Sequence, residues 1–273
     1  MLRILLCILL FSSVTYAQGT DSAYADENFD QSLFRTLNGH RTGLLDITIA
    51  LTEKPVTIPL VLIPASLYTS ALISDNYYDE NSSYLLAVSS GVGIGITAGL
   101  KYVFKRKRPV ESMDGIYFDK YFLRENDRYS FPSGHATVSF NTAASLTLRY
   151  PDNPYLITGF YLHALAVSFG RIYIGAHYPG DVLTGALIGT GSAVLVFALR
   201  KELIEFKADI FHQKDRKEIG SDKTDQYVAL GSLIAMDLFN YFILGQQSKI
   251  TKNMRIEFGS IGNTNTLNFT YNF

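Results

Sequence analysis

The chain has 273 residues, 47% of them hydrophobic, and its 24 Lys and Arg against 25 Asp and Glu leave a formal net charge of −1. That balance provides no basic field for a polyanion and argues against a nucleic-acid partner for the chain as a whole. A mean hydropathy of +0.10 is high for a water-soluble enzyme and modest for a protein made wholly of membrane spans, so both classes stay open, and no repeat or low-complexity tract divides the chain.

At the N-terminus, Arg3 precedes the apolar run Ile4 to Phe11, and Thr15 and Ala17 follow at the small-residue positions of a cleavage site. Residues 1–17 read as an export signal. The alternative is a first membrane span, although its apolar core falls short of the roughly 20 residues a crossing needs. Cys7, the single cysteine, lies in this segment, so a cleaved product would have no thiol for a disulfide, a zinc-cysteine site or a nucleophile.

Four apolar stretches follow, Val56 to Ser74, Tyr84 to Leu100, Tyr155 to Phe169 and Val182 to Leu199, each without an Asp, Glu, Lys or Arg. Their lengths sit at the threshold for membrane helices. In the second, Gly91, Gly95 and Gly99 recur every four residues, which predicts a stripe for close helix packing. Pro59 and Pro64 are tolerated in a helix packed among neighbours. Ala136 to Leu148 is helical in pattern but rich in Ser, Thr and Asn, so it should face the protein interior. Polar turns at Asp75 to Ser83 and Tyr150 to Pro154 predict antiparallel hairpins.

The charged stretch Arg200 to Lys223 carries basic residues close to an apolar end and suits a cytoplasmic face. Counting back through the spans then puts Lys101 to Phe131 and Arg171 to Asp181 outside. The acidic turn at Asp75 to Glu80 does not support that topology. Tyr227 to Leu244 is either a further span, with Asp237 costly at its middle, or a peripheral helix. Alternating apolar residues from Met254 to Phe273 predict a small β-hairpin.

Three clusters carry chemistry, each at an end of an apolar helix on the same expected side. In the first, Lys101 is followed seven residues later by Arg108 and Pro109, so both cations share a helix face that Pro109 terminates. The run Lys105 to Arg108 by itself reads as a solvated face or membrane anchor. In the second, Pro132, Ser133, Gly134 and His135 open the helix at Ala136: a capping hydroxyl, an open backbone and free amides make an anion site with His135 beside it. In the third, Arg171 precedes His177 and Asp181. An Asp near a His can take one ring proton and leave the other nitrogen free to attack. Each cluster alone has an ordinary structural reading, whereas all three in order would arise by chance in about one chain in a million.

On these motifs, K-x6-R-P at Lys101 to Pro109, P-S-G-H at Pro132 to His135 and R-x5-H-x3-D at Arg171 to Asp181, the chain resembles the type-2 phosphatidic acid phosphatase superfamily over roughly residues 29–200. One departure is Gly170, where the family's third motif usually has Ser, so a hydroxyl near the site is missing. The resemblance implies an all-α, multi-helix membrane-embedded bundle with its active site at helix ends on the periplasmic side. It divides the chain into the segment 1–17, a helical phosphatase domain at 29–203, and a tail at 204–273.

The resemblance further implies that His177 attacks phosphorus to form a phosphohistidine, that Asp181 orients it, and that His135 protonates the leaving oxygen. Lys101, Arg108, Ser133, Gly134 and Arg171 would bind the phosphoryl oxygens. Such a transfer needs donors aimed at the negative oxygens, and with three cations present neither a metal nor a cofactor is expected. The implied partners are a phosphorylated lipid and the bacterial cytoplasmic membrane, with the site facing the periplasm. The alternatives are a soluble exported nonspecific acid phosphatase, a vanadate-dependent haloperoxidase, and an idle lipid-binding relative. His40, His163 and His212 read as structural or solvated, and the loop Glu111 to Ser130 as a solvated connection or a substrate-selecting lid.

Overall fold

The computed structural model describes residues 27–52, 57–119, 128–244, 254–261 and 264–271. The signal segment with Cys7 lies outside the described residues, as do residues 120–127 of the expected lid. The described body is built of helices: α1 (Phe29–Gly39), α2 (Gly43–Thr52), α3 (Thr57–Ile73), α4 (Tyr77–Phe104), α5 (Pro109–Ser112), α6 (Gly134–Arg149), α7 (Pro154–Tyr173), α8 (Pro179–Ala198), α9 (Arg200–Ile210) and α10 (Lys223–Phe239). A π-helical turn, Asn240–Leu244, follows α10. Residues Met254–Ile261 and Thr264–Tyr271 pair as antiparallel strands β1 and β2, with Met254 opposite Tyr271.

Local chemistry sets the starts of these helices. Asn28, Asn76, Ser133, Asn153 and Asp222 each accept an amide proton of the first turn, and Pro154 and Pro179 occupy positions where no amide hydrogen bond is lost. Asn76 opens α4 at Tyr77, so the turn expected over Asp75 to Ser83 is much shorter than the polar composition suggested. Asp79, Glu80 and Asn81 lie buried inside the helix, where they meet residues from the chain's later part.

Helix α6 is central. Its polar face is buried as expected: the Asn141 side chain accepts from Ser89 and Ser90 of α4 and donates to the Gly189 carbonyl of α8, and Thr137 meets Thr97 at 3.0 Å. The glycine stripe is a correction. A Cβ on Gly91, Gly95 or Gly99 would meet nothing within 4 Å, so those positions face open space. The close approach is made elsewhere: a Cβ on Gly185 would lie 2.4 Å from the Ser133 carbonyl oxygen, and one on Gly189 2.2 Å from that of Thr137. Backbone contact between α8 and α6 therefore depends on these two glycines.

An apolar core at the end remote from the motifs joins Ile63, Leu67, Leu86, Leu146, Phe160, Leu233 and Met236 from five helices. Each such fully buried side chain contributes about 1.5–3 kcal/mol. Helix α10 thus shares the core of α3, α4, α6 and α7, and its Asp237 lies 3.4 Å from His163 of α7. A second cluster, Phe34, Met113, Ile172 and Tyr178, seats α1 against the motif end. Among the described residues, the two helices long and apolar enough to cross a membrane are those containing α4 and α8. Their outward faces, and those of α3 and α7, expose large apolar side chains such as Val61, Ile96, Leu162, Leu183 and Leu187.

Candidate active site

The three motifs converge at one end of the bundle. Lys101, in the last turn of α4, donates from Nζ to the Tyr129 carbonyl at 2.5 Å, and Arg108 Nη2 donates to the same oxygen at 3.2 Å. One main-chain carbonyl thus anchors both cations of the first motif. Between them Lys105 adopts a left-handed conformation with φ 47° that ends α4, and Arg108 caps the short α5 ahead of Pro109. Arg108 is buried, and its Nη1 donates to the Ala176 carbonyl at 2.6 Å and lies 3.4 Å from His177 Nε2. A guanidinium can only donate, so in this contact Nε2 is the acceptor.

His177 reaches this position through a tight corner. The Arg171 carbonyl, at the end of α7, accepts from the amides of both Ala176 and His177, and Gly175 takes a φ of 82° between them. A Cβ there would lie 2.5 Å from the Tyr117 carbonyl, so only glycine makes the turn. Arg171 itself is 2% exposed. Ser133 caps α6 and is tied to the third motif directly, its amide donating to the Asp181 carbonyl at 3.0 Å. Gly134 and the half-buried His135 form the first turn of α6.

Asp181 differs from the expectation. Its Oδ2 lies 3.7 Å from His177 Nδ1, longer than a hydrogen bond, because the carboxylate is already engaged. Oδ2 accepts from the Ser130 hydroxyl and, at 2.9 Å, from the Tyr178 amide; Oδ1 accepts from Arg106 Nη1 at 2.8 Å. Arg106 also donates to Asp30 of α1 at 2.6 Å and lies 4.0 Å from the centre of the Tyr178 ring. The basic run therefore divides by position: Lys105 and Lys107 are exposed, while Arg106 and Arg108 turn inward. Nothing local distinguishes Arg106 from its neighbours, and Asp30 lies far away in sequence, so motif spacing marked neither. Ser130 supplies Asp181 with a hydroxyl.

Residues 83–205 match the family model of the PAP2 superfamily. An undecaprenyl-diphosphatase from Sulfolobus acidocaldarius is 31% identical over 105 residues, which are 38% of this chain and 48% of that protein. A lipid A 4'-phosphatase from Bacteroides thetaiotaomicron is 25% identical over 224 residues, 80% of this chain and 96% of that protein. The chain thus spans about half of the first relative and nearly all of the second. Among solved structures, that of LpxE from Aquifex aeolicus is similar with a TM-score of 0.53 and 24% identity, over 63% of this chain and 97% of that one, which supports the all-helical fold.

Proposed function

Since the chain belongs to the PAP2 superfamily through residues 83–205, we propose that it is a membrane-embedded phosphatase that removes phosphate from a lipid phosphate or diphosphate, without a metal, through a phosphohistidine on His177. The observation that carries this reading is the contact of Arg108 with His177 Nε2, beside a carbonyl that also holds Lys101. Cations are gathered where a nucleophile presents its lone pair, which is the arrangement phosphoryl transfer demands. In the first step Nε2 attacks phosphorus and the phosphorus–oxygen bond to the lipid breaks, while His135 protonates the departing oxygen. In the second, water attacks phosphorus, the phosphorus–nitrogen bond breaks, and His135 takes the proton of the water.

Lys101, Arg108, Arg171, Ser133 and the Gly134 amide bind the three phosphoryl oxygens. The helical part at 29–203 carries the reaction, and the later helices brace its far end. A lipid substrate is supported by the apolar side chains on the outward faces of α3, α4, α7 and α8, which a water-soluble enzyme would leave in water, and by the lipid-directed activities named for the two relatives. The active end faces the periplasm, opposite the charged stretch at 200–223, which opens with Arg200 and Lys201 directly after an apolar helix.

The test is phosphate release from undecaprenyl diphosphate, lipid A and an aryl phosphate in the presence of excess chelator, with membrane and soluble fractions assayed separately. Turnover of at least one lipid in the membrane fraction, inhibition by vanadate and its loss in His177→Ala are expected. Dependence on added magnesium, or activity retained by His177→Ala, would refute the mechanism.

A further inference from the structure

We infer that Arg106, anchored by Asp30 of the N-terminal helix α1, is a positioning residue that holds the Asp181 carboxylate and offsets its charge, keeping the His177 imidazole neutral and able to attack. This rests on the reading of His177 as nucleophile. The geometry is a closed set of contacts. Arg106 bridges Asp181 Oδ1 and Asp30 Oδ2, and the Ser130 amide donates to the Arg106 carbonyl at 2.8 Å while its hydroxyl donates to Asp181 Oδ2. Asp30 Oδ1 accepts from the Gly180 amide at 2.8 Å, so α1 also pins the first turn of α8 that carries Asp181. The Arg106 guanidinium stacks over Tyr178, whose ring meets Phe34 of α1 edge-on at 5.6 Å.

The chemical consequence follows from charge. Asp181 is fully buried and 3.7 Å from Nδ1, so an uncompensated carboxylate there would favour the imidazolium and remove the lone pair needed for attack. Among the described residues, Arg108 and Asp181 face the His177 ring, and the same end of the bundle carries Arg171 at the end of α7, Lys101 of α4, His135 of α6, and Asp119, whose amide donates to the Ile174 carbonyl. Arg106 makes its printed contact with this dyad at Asp181 Oδ1, the oxygen opposite the one nearest the ring. The rigid guanidinium fork reaches Asp181 with Nη1 and Asp30 with Nη2, a fixed spacing that the compact ammonium of a flexible lysine chain does not reproduce.

The experiment compares Arg106→Gln, Arg106→Lys, Asp30→Asn and His177→Ala with the wild type in the full chain, in one detergent, with the aryl phosphate as substrate and folding checked by Tm. In Arg106→Gln, kcat should fall about tenfold or more with KM changed less, and the acidic limb of kcat/KM should move up by about one pH unit, because loss of a nearby cation raises the imidazole pKa. Arg106→Lys should restore the position of the limb while recovering kcat only in part. Asp30→Asn, which keeps an acceptor for the Gly180 amide, should lower kcat by about threefold.

A purely structural role would lower Tm and the amount of active enzyme without moving the limb. An unmoved limb in folded Arg106→Gln, with His177→Ala inactive, overturns the inference and leaves the proposed function standing. If His177→Ala is active, the proposed function itself fails. Should Arg106→Gln not fold, kcat within twofold of wild type in both Arg106→Lys and Asp30→Asn overturns the inference.

Discussion

The two ends of the bundle both bury charge, and they do so in opposite ways. At the motif end, Lys101 donates to the carbonyl oxygen of Tyr129, and Arg108 donates to those of Tyr129 and Ala176. At the far end ion pairs tie together segments distant in sequence, while the buried Asp225 carboxylate is held by the hydroxyls of Ser70 and Ser74. Glu80 of α4 is bonded to Lys207 of α9 at 2.5 Å and to Arg216, Arg216 also reaches Asp75, and Arg149 of α6 meets Glu218. The Arg106 group at the motif end is an ion-pair network as well, and its partners Asp181 and Asp30 are why it reads as a positioning device.

Breaking the motif end should cost function before stability. In Arg171→Lys the charge remains but the planar fork is lost, and kcat should fall roughly a hundredfold, on the scale of a lost oxyanion donor, with KM changing less. Steady-state kinetics on equally folded wild type and variant would show it; a raised KM with unchanged kcat would instead restrict Arg171 to substrate binding.

Breaking the far end should do the reverse. Glu80→Gln leaves Lys207 buried beside Asn81 without its carboxylate, and removing one partner of a buried pair costs about 3–5 kcal/mol. Thermal unfolding should show the loss, while kcat per folded enzyme stays at the wild-type level. Burial already holds the Lys207 pKa below its ordinary value, with Glu80 opposing that shift. In the variant the folded chain therefore sheds this proton at a lower pH than the unfolded chain, and the Tm deficit should shrink as pH rises from neutral towards the alkaline range.

The smallest effect belongs to an exposed ion pair at the end of α9. Lys214 and Asp209 stand 2.7 Å apart with side chains 73% and 60% exposed, where solvent screening cancels most of the attraction. Lys214→Ala should change neither Tm nor kcat measurably. A clear drop in either would mean that the segment after α9 docks more firmly than its exposure implies.

The sequence by itself determined what depends on short spacings and on residue type: the helical segments, the inward face of α6 with its Ser, Thr and Asn, and the three motifs whose residues meet at one end of the bundle. These were legible because a helix repeats every few residues and a phosphate site needs cations, free amides and a histidine in order. The tertiary structure decided what depends on which elements become neighbours. The stripe Gly91, Gly95 and Gly99 has the pattern for close packing but faces open space, whereas Gly185 and Gly189 lie against α6, since a small residue acquires a role only when another backbone arrives beside it. The acidic residues after Asp75 looked at odds with the charge pattern until Lys207 and Arg216 folded back onto them. Arg106 looked like a surface cation because its partners, Asp30 and Asp181, lie 76 and 75 positions away, and an ion pair between distant segments leaves no periodic trace in the chain.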